Sequence, residues 1–289
     1  MILTDDQIIE RWLESQNSDV TREGYAADFE RFRQHVGVEK PLGEVEIGDA
    51  QRYAKYLRSA KGRGDKPLRP SRQRRLINVV RSFYKFATRL EYLPKNPTVA
   101  VRLPKPDTVL AERIMTREEV DRLIAAEEKP RNQLLLRVIF YSGTRVSEVI
   151  GMRWRHVKPN KEGGQLSVFG KGGDSRTILI PIEIYQAMLV EKERVEGKED
   201  DYVFPSQKSP QLSRHQIFRI VKQAAKKAGL SHSISTHWLR HANATIAMEN
   251  GAPLHLIQKT LGHKTILTTE KYLHARPDDS SGLYLDKKK

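Results

Sequence analysis

Four prolines in thirteen residues, Pro94, Pro97, Pro104 and Pro106, break an otherwise helix-forming chain. Each ring fixes φ and removes a backbone donor, so neither a helix nor an interior strand passes through. Everything before this stretch must therefore bury its apolar surface separately from everything after it. At 289 residues the chain is long enough for two ordinary domains. The reading is a helical domain over residues 1–96, an extended linker over 97–112, and a second domain over 113–289.

The first domain reads as four helices. Thr4-Asp5-Asp6-Gln7 has capping-box spacing ahead of Ile8, Ile9, Trp12 and Leu13. Thr21 is placed to cap a second helix, with Tyr25, Phe29, Phe32 and Val36 along one stripe. A third helix over Asp49 to Ala60 turns Tyr53, Tyr56 and Leu57 inward. The fourth runs from about Pro70 to Leu90 and puts Leu76, Val79, Val80, Phe83, Ala87 and Leu90 on one face. Its opposite face carries Arg74, Asn78, Arg81 and Lys85. No Glu interrupts Arg69 to Arg89, as a merely solvated face would lead one to expect, so this stripe is read as a track for DNA phosphates.

In the second domain, Thr116-Arg117-Glu118-Glu119 is another capping box, and Leu134, Leu135, Val138, Ile139 and Phe140 mark a central core helix. Gln165 to Pro181 is the one clear hairpin, turning at Lys171-Gly172-Gly173-Asp174. Helices resume near Ser213, where Arg214, Gln216, Arg219 and Lys222 form a second DNA-reading candidate, and again around His237, Leu254 and Thr265. The fold class is mainly α with a small β-hairpin or sheet, the second domain being α+β.

Charge narrows the partner. Fifty-one Lys and Arg against 36 Asp and Glu leave a net +15, spread along the chain, which fits a nucleic acid better than a membrane surface. No apolar run approaches the ~20 residues of a membrane span, and no signal-peptide pattern opens the chain. Cysteine is absent, which removes disulfides, thiolate metal sites and thiol nucleophiles and is compatible with a reducing cytoplasm.

The chemistry-bearing residues are Arg145 in Ser142-Gly143-Thr144-Arg145, His237 and Arg240 in His237-Trp238-Leu239-Arg240, His263 in Leu261-Gly262-His263, and Tyr272. Two arginines, two histidines and a tyrosine suit a phosphodiester attacked by a phenol: guanidinium forks match phosphate oxygens, imidazole moves protons near neutrality, and a tyrosine hydroxyl is a covalent nucleophile. Alone, each has a plain alternative. Arg145 reads equally well as a structural partner of Glu148. A lone His or Tyr on a helix is usually packing. His237 and His241 have the i, i+4 spacing of a zinc protease, but Trp238 stands where that motif needs Glu, and Arg240 would repel a cation.

The ordered series Gly-Thr-Arg, Gly170-Lys171-Gly172, His-x-x-Arg, Leu-Gly-His and Tyr resembles the tyrosine recombinase (phage integrase) family, and the size and two-domain plan resemble its Xer-like members. The resemblance covers nearly the whole chain and is most specific over 141–150 and 235–274. It implies an N-terminal four-helix, SAM-like core-binding domain and a C-terminal catalytic domain. It also implies Arg145 and Arg240 as phosphate ligands, Lys171 as acid for the leaving 5′ oxygen, and His237 and His263 as assisting histidines. Tyr272 would be the nucleophile and Glu148 a supporting carboxylate. Asp174 departs from the small or basic residues common in that turn and leaves Arg176 as a rival to Lys171 for reaching DNA. The implied activity is site-specific recombination through a 3′-phosphotyrosine and a Holliday junction, without metal, ATP or cofactor. The implied partners are double-stranded DNA, a homotetramer on synapsed sites, and accessory proteins. Chromosome partition, integration and inversion all fit. Tyr284, in Leu283-Tyr284-Leu285, is read as part of a docking segment or a tail rather than as the nucleophile. The rival classes are a regulator without chemistry, a type IB topoisomerase and a metal-dependent nuclease.

Overall fold

The computed structural model describes residues 3–105, 114–170, 173–263 and 265. The chain divides into two compact units, Met1–Thr108 and Val109–Lys289.

In the first unit, helices α1 (Asp5–Glu14), α2 (Asp19–Val36), α3 (Ile47–Ser59) and α4 (Pro70–Arg89) enclose one core. The Thr4 box forms as the spacing predicts: the Gln7 amide donates to Thr4 Oγ1 at 3.3 Å and the Thr4 amide to Gln7 Oε1 at 3.0 Å. The second helix begins earlier than expected, because Ser18 rather than Thr21 accepts the capping bond, from the Thr21 amide at 3.4 Å. Trp12, Phe29 and Phe83 meet at ring separations of 4.4–5.4 Å, and the Trp12 indole N–H donates to Ser82. Two residues expected inside are not. Tyr56 is 41% exposed and stacks on His35. Leu90 is 49% exposed because it is the C-cap of α4, where the backbone leaves the helix and the face it shared ends.

The basic face of α4 is partly spent on the protein itself. Arg74 donates to the Pro104 carbonyl at 2.8 Å and Arg81 to that of Val101, a residue buried in this core. The proline-rich stretch is thus fastened along α4 as far as Pro104, while Asn78 and Lys85 stay exposed.

The second unit packs α5 (Arg117–Ala125), α8 (Ile182–Arg194) and α10 (Thr236–Glu249) against α6 (Pro130–Ser142), with α7 (Val146–Ile150) and α9 (Arg214–Lys227) in the same core and α11 (Leu254–Leu261) on α10 in a small cluster of its own. Helix α6 is buried along most of its surface, with Gln133, Arg137 and Tyr141 half-buried on one stripe, the core role its strongly apolar sequence predicts. The hairpin strands are β2 (Gly163–Phe169) and β3 (Ser175–Pro181), in register Leu166↔Ile178 and Val168↔Arg176. A third strand, β1 (Val157–Asn160), pairs antiparallel with β2. Neither β1, with one buried position in four, nor α8 was read from the sequence. Helix α8 follows β3 directly, with Pro181 as its N-cap and no glycine or polar turn between. Among the described residues no helix is long and apolar enough to cross a membrane. Of the helix read around Thr265, only Thr265 itself is described, as a bend; the rest lies outside the described residues.

Candidate active site

Helix α6 stops at Gly143, whose left-handed backbone (φ 59°) accepts no Cβ without strain: one would lie 2.7 Å from Leu261 Cδ2. The chain turns through Thr144 and starts α7 with Arg145 as N-cap. Glu148, one turn on, closes the cap: the Arg145 amide donates to Glu148 Oε2 at 2.7 Å and Arg145 Nη1 to Glu148 Oε1 at 2.9 Å. The structural pairing left open by the sequence is therefore real, yet the Arg145 side chain remains 41% exposed.

Glu148 is itself buried and shared. Arg176 takes both carboxylate oxygens in a parallel fork, each at 2.9 Å. Burial pushes the Glu148 carboxyl upward, but hydrogen bonds from Arg176 and the Arg145 amide outweigh it and hold the group below the usual carboxylate range. Arg176 faces inward because it has the strand parity of Ile178 and Ile180, both core residues. Its guanidinium is committed to this pair, so the structure does not support it as the hairpin's DNA-reaching cation. Lys171 lies outside the described residues. The residue before it, Gly170, packs beside Glu148, with an added Cβ falling 3.9 Å from Oε1.

The other side of the site is the end of α11. A helix C-terminus presents carbonyls with no intrahelical donor and the negative end of the helix dipole. Here a Schellman turn at left-handed Gly262 uses two of them: the His263 amide donates to Gln258 and the Gly262 amide to Lys259, each at 3.2 Å. The next three carbonyls each receive a different arginine. Arg176 Nε donates to Thr260 at 2.7 Å, Arg240 Nη2 to Leu261, and Arg145 Nη2 to Gly262 at 3.1 Å. Arg240, 5% exposed on α10, also donates to the carbonyl of Gly143. Two arginines 95 positions apart in sequence are thus aimed by backbone oxygens at the two left-handed glycines.

His263 follows this turn and sits in the field of the cluster. Desolvation first, then the positive charges of Arg240 and Arg145 and the neighbouring His241, lower its imidazole to about 4, so it is neutral at pH 7. His237, on the first turn of α10, is lowered for the same reasons by desolvation, Arg240 and Arg145. Its ring lies 6.5 Å from that of His241. Among the described residues no group of three or more His, Cys, Asp or Glu could hold a metal ion. The site gathers hydrogen-bond donors and positive charge, the donor set for an oxyanion.

The structure thus brings together Arg145, Glu148, His237, Arg240 and His263. Tyr272, like Lys171, lies outside the described residues. On α9, Arg214 and Arg219 are exposed, but Gln216 is engaged. Its Oε1 accepts from the Ser213 amide at 2.7 Å and its Nε2 donates to Ser206 at 2.8 Å, so it caps the helix instead of offering an amide edge to a base. The sequence reading missed the Glu148 fork of Arg176, although Arg176 shares the strand parity of Ile178 and Ile180. It also missed Arg72 and Arg75, both bound to buried Asp28 in the first unit.

Residues 113–278 match the phage integrase family. Among curated relatives, the tyrosine recombinase XerD of Pseudomonas aeruginosa is 31% identical, covering 91% of this chain and 89% of that protein. The Staphylococcus saprophyticus XerD is 29% identical over 96% and 97%. Among solved structures, the XerH recombinase in a post-cleavage complex with a palindromic difH substrate superposes with a TM-score of 0.73 at 20% identity, covering 94% of this chain and 81% of that one. A lambda integrase dimer bound to a COC′ core site gives 0.72 at 18%, covering 99% and 80%. At these identities the structures speak for the fold, and the family match with its full-length relatives settles membership: the chain belongs to the phage integrase family, the tyrosine recombinases.

Proposed function

We propose that this chain is a site-specific DNA recombinase that cuts and rejoins DNA through a 3′-phosphotyrosine. The observation that carries the reading is the convergence of Arg145, at the start of α7, and Arg240, on α10, on the end of α11 beside His263. In this account the two guanidinium groups bind the non-bridging oxygens of one phosphodiester. The Tyr272 hydroxyl passes its proton to the neutral imidazole of His237 and attacks phosphorus, forming a P–O bond and breaking the bond to the 5′ oxygen. Lys171 gives that leaving oxygen its proton, and neutral His263 and His237 accept or donate hydrogen bonds at the phosphate. Negative charge grows on the non-bridging oxygens as phosphorus becomes five-coordinate, so fixed arginines stabilise the transition state more than the ground state. The phosphotyrosine keeps the energy of the broken bond, so attack by a second strand's 5′ hydroxyl rejoins DNA without ATP.

Relatives that are XerD recombinases, and neighbours solved on DNA, including a lambda integrase tetramer on a Holliday junction, support strand exchange by four protomers on two duplexes. The chain's +15 charge supports the same partner. Exposed Asn78 and Lys85 on α4, and Arg214 and Arg219 on α9, are the proposed DNA contacts, and the cytoplasm is the proposed compartment.

The test is a nicked suicide duplex, from a panel of host and element sites, incubated with the protein in EDTA. Wild type is expected to give a covalent protein–DNA adduct that Tyr272→Phe does not. No adduct on any site, or one that survives Tyr272→Phe, overturns the reading.

A further inference from the structure

The recombinase reading uses Arg145 and Arg240 and leaves Arg176 unexplained, although its guanidinium makes three hydrogen bonds in the site. It is 12% exposed at the side chain, takes both oxygens of Glu148, donates its Nε to the Thr260 carbonyl, and lies against Gly262 so closely that an added Cβ there would fall 3.0 Å from its Nη1. It ties three elements together: β3, α7 and the end of α11.

The charge count within this group explains why the tie is a cation. Glu148 carries one negative charge at a side chain only 2% exposed, where water screens little. It accepts from two guanidinium groups. Arg176 meets it as a bidentate fork, while Arg145 touches one oxygen with one nitrogen and keeps an exposed flank. The fork is the stronger geometry. The carboxylate is therefore neutralised by Arg176 and serves Arg145 as an orienting acceptor. Without Arg176, Arg145 would be the nearest counter-ion for a buried carboxylate, and its positive charge would be spent inside the protein.

We infer that Arg176 is a positioning residue that balances the buried charge of Glu148, so that the positive charge of Arg145 stays available to the scissile phosphate. The inference rests on the recombinase reading and adds a charge-balancing role to it.

Charge balance predicts an order that a purely structural brace does not. Arg176→Met strands a negative charge beside Arg145. Glu148→Gln strands a positive charge in Arg176. Removing both leaves neither, so Arg176→Met/Glu148→Gln should react faster than Arg176→Met. The experiment measures the rate of adduct formation on a saturating suicide duplex for wild type, both single variants, the double variant and Arg176→Lys. It also records the melting temperature of each free protein.

The expected result is a loss of about 100-fold for Arg176→Met. The double variant should recover about ten-fold of this, since a shared buried pair gives non-additive effects. Arg176→Lys, which keeps the charge and loses the fork, should fall between wild type and Arg176→Met. Melting should follow the same order. If Arg176→Met does not fold, the comparison passes to the other variants: a double variant as fast as Glu148→Gln, or faster, supports the inference. A double variant no faster than Arg176→Met (or, where that variant does not fold, slower than Glu148→Gln), or an Arg176→Met rate within about three-fold of wild type, overturns it while leaving the recombinase reading intact. Absence of an adduct from wild type removes both.

Discussion

Arg145 Nη2 donates to the carbonyl of Gly262 at 3.1 Å, across 117 positions of sequence. This bond ties the start of one helix to the end of another. The guanidinium and the turn that presents His263 are therefore one mechanical unit, and Arg240 joins it through Leu261 and Gly143. In the proposed reaction a phosphate approaching the pair would meet donors already held in place, so little reorganisation would accompany it.

Substituting either left-handed glycine should break this unit. A Cβ at Gly143 (φ 59°) would lie 2.7 Å from Leu261 Cδ2 and 2.9 Å from Asn243 Oδ1. At Gly262 (φ 63°) it would press on Arg176. Gly143→Ala and Gly262→Ala are each expected to lose about 1–3 kcal/mol in urea unfolding, with adduct formation falling more than stability alone explains. Variants as stable and as active as wild type would contradict the joint positioning.

Much of this was legible in the sequence, and the failures have physical causes. The capping boxes at Thr4 and Thr116, the core helix α6 and the two hairpin strands follow from local spacing, and the structure reproduces them. Helix α8 was missed because it starts on the last residue of a strand, with no turn residue to punctuate it. Tyr56 and Leu90 were placed inside because periodicity continues on paper where the helix face has already turned to solvent or ended. In the site, the residue types were readable but their backbone partners were not. Carbonyl oxygens at Thr260, Leu261 and Gly262 have no side-chain signature. The inward direction of Arg176 was readable in principle, from its even step to Ile178 and Ile180.

The histidines predict proton uptake on DNA binding. His263 is held at about 4 in the folded protein against 6.5 when unperturbed. The unfolded chain thus binds the extra proton more readily between those values, so stability falls as pH drops from 6.5 towards 4 and is unaffected above 6.5. Glu148, held low, adds stability that disappears as its carboxyl is protonated at still more acid pH. A bound phosphate reverses the imidazole's environment and raises its pKa. Titration calorimetry at pH 5.5, in buffers of different ionisation enthalpy, should show protons taken up by wild type and fewer by His263→Asn. Buffer-independent enthalpies would contradict this.

On α9 the roles should separate. Arg219→Ala is expected to reduce the slope of log K against log salt by about one. Gln216→Ala should leave that slope and the preferred DNA sequence unchanged while costing about 1 kcal/mol of stability, because its amide caps the helix. A changed base preference in Gln216→Ala would show that it reads DNA after all.

On α4 the exposed and the engaged cations should also differ. Lys85→Ala is expected to weaken DNA binding with salt-dependent loss and no change in melting. Arg81→Ala should lower stability by about 1–2 kcal/mol by leaving the Val101 carbonyl without its donor. Equal melting of the two variants would remove the fastening role assigned to Arg81.

The central claim is that one phenol becomes covalently joined to DNA, and peptide mapping of the adduct tests it most directly. After nuclease digestion of the suicide-substrate adduct and cleavage with trypsin and endoproteinase Asp-N, mass spectrometry should find the nucleotide phosphate on the peptide Tyr272–Pro277, whose one tyrosine is Tyr272. A nucleotide found instead on the peptide containing Tyr284, or on any other residue, would contradict the account.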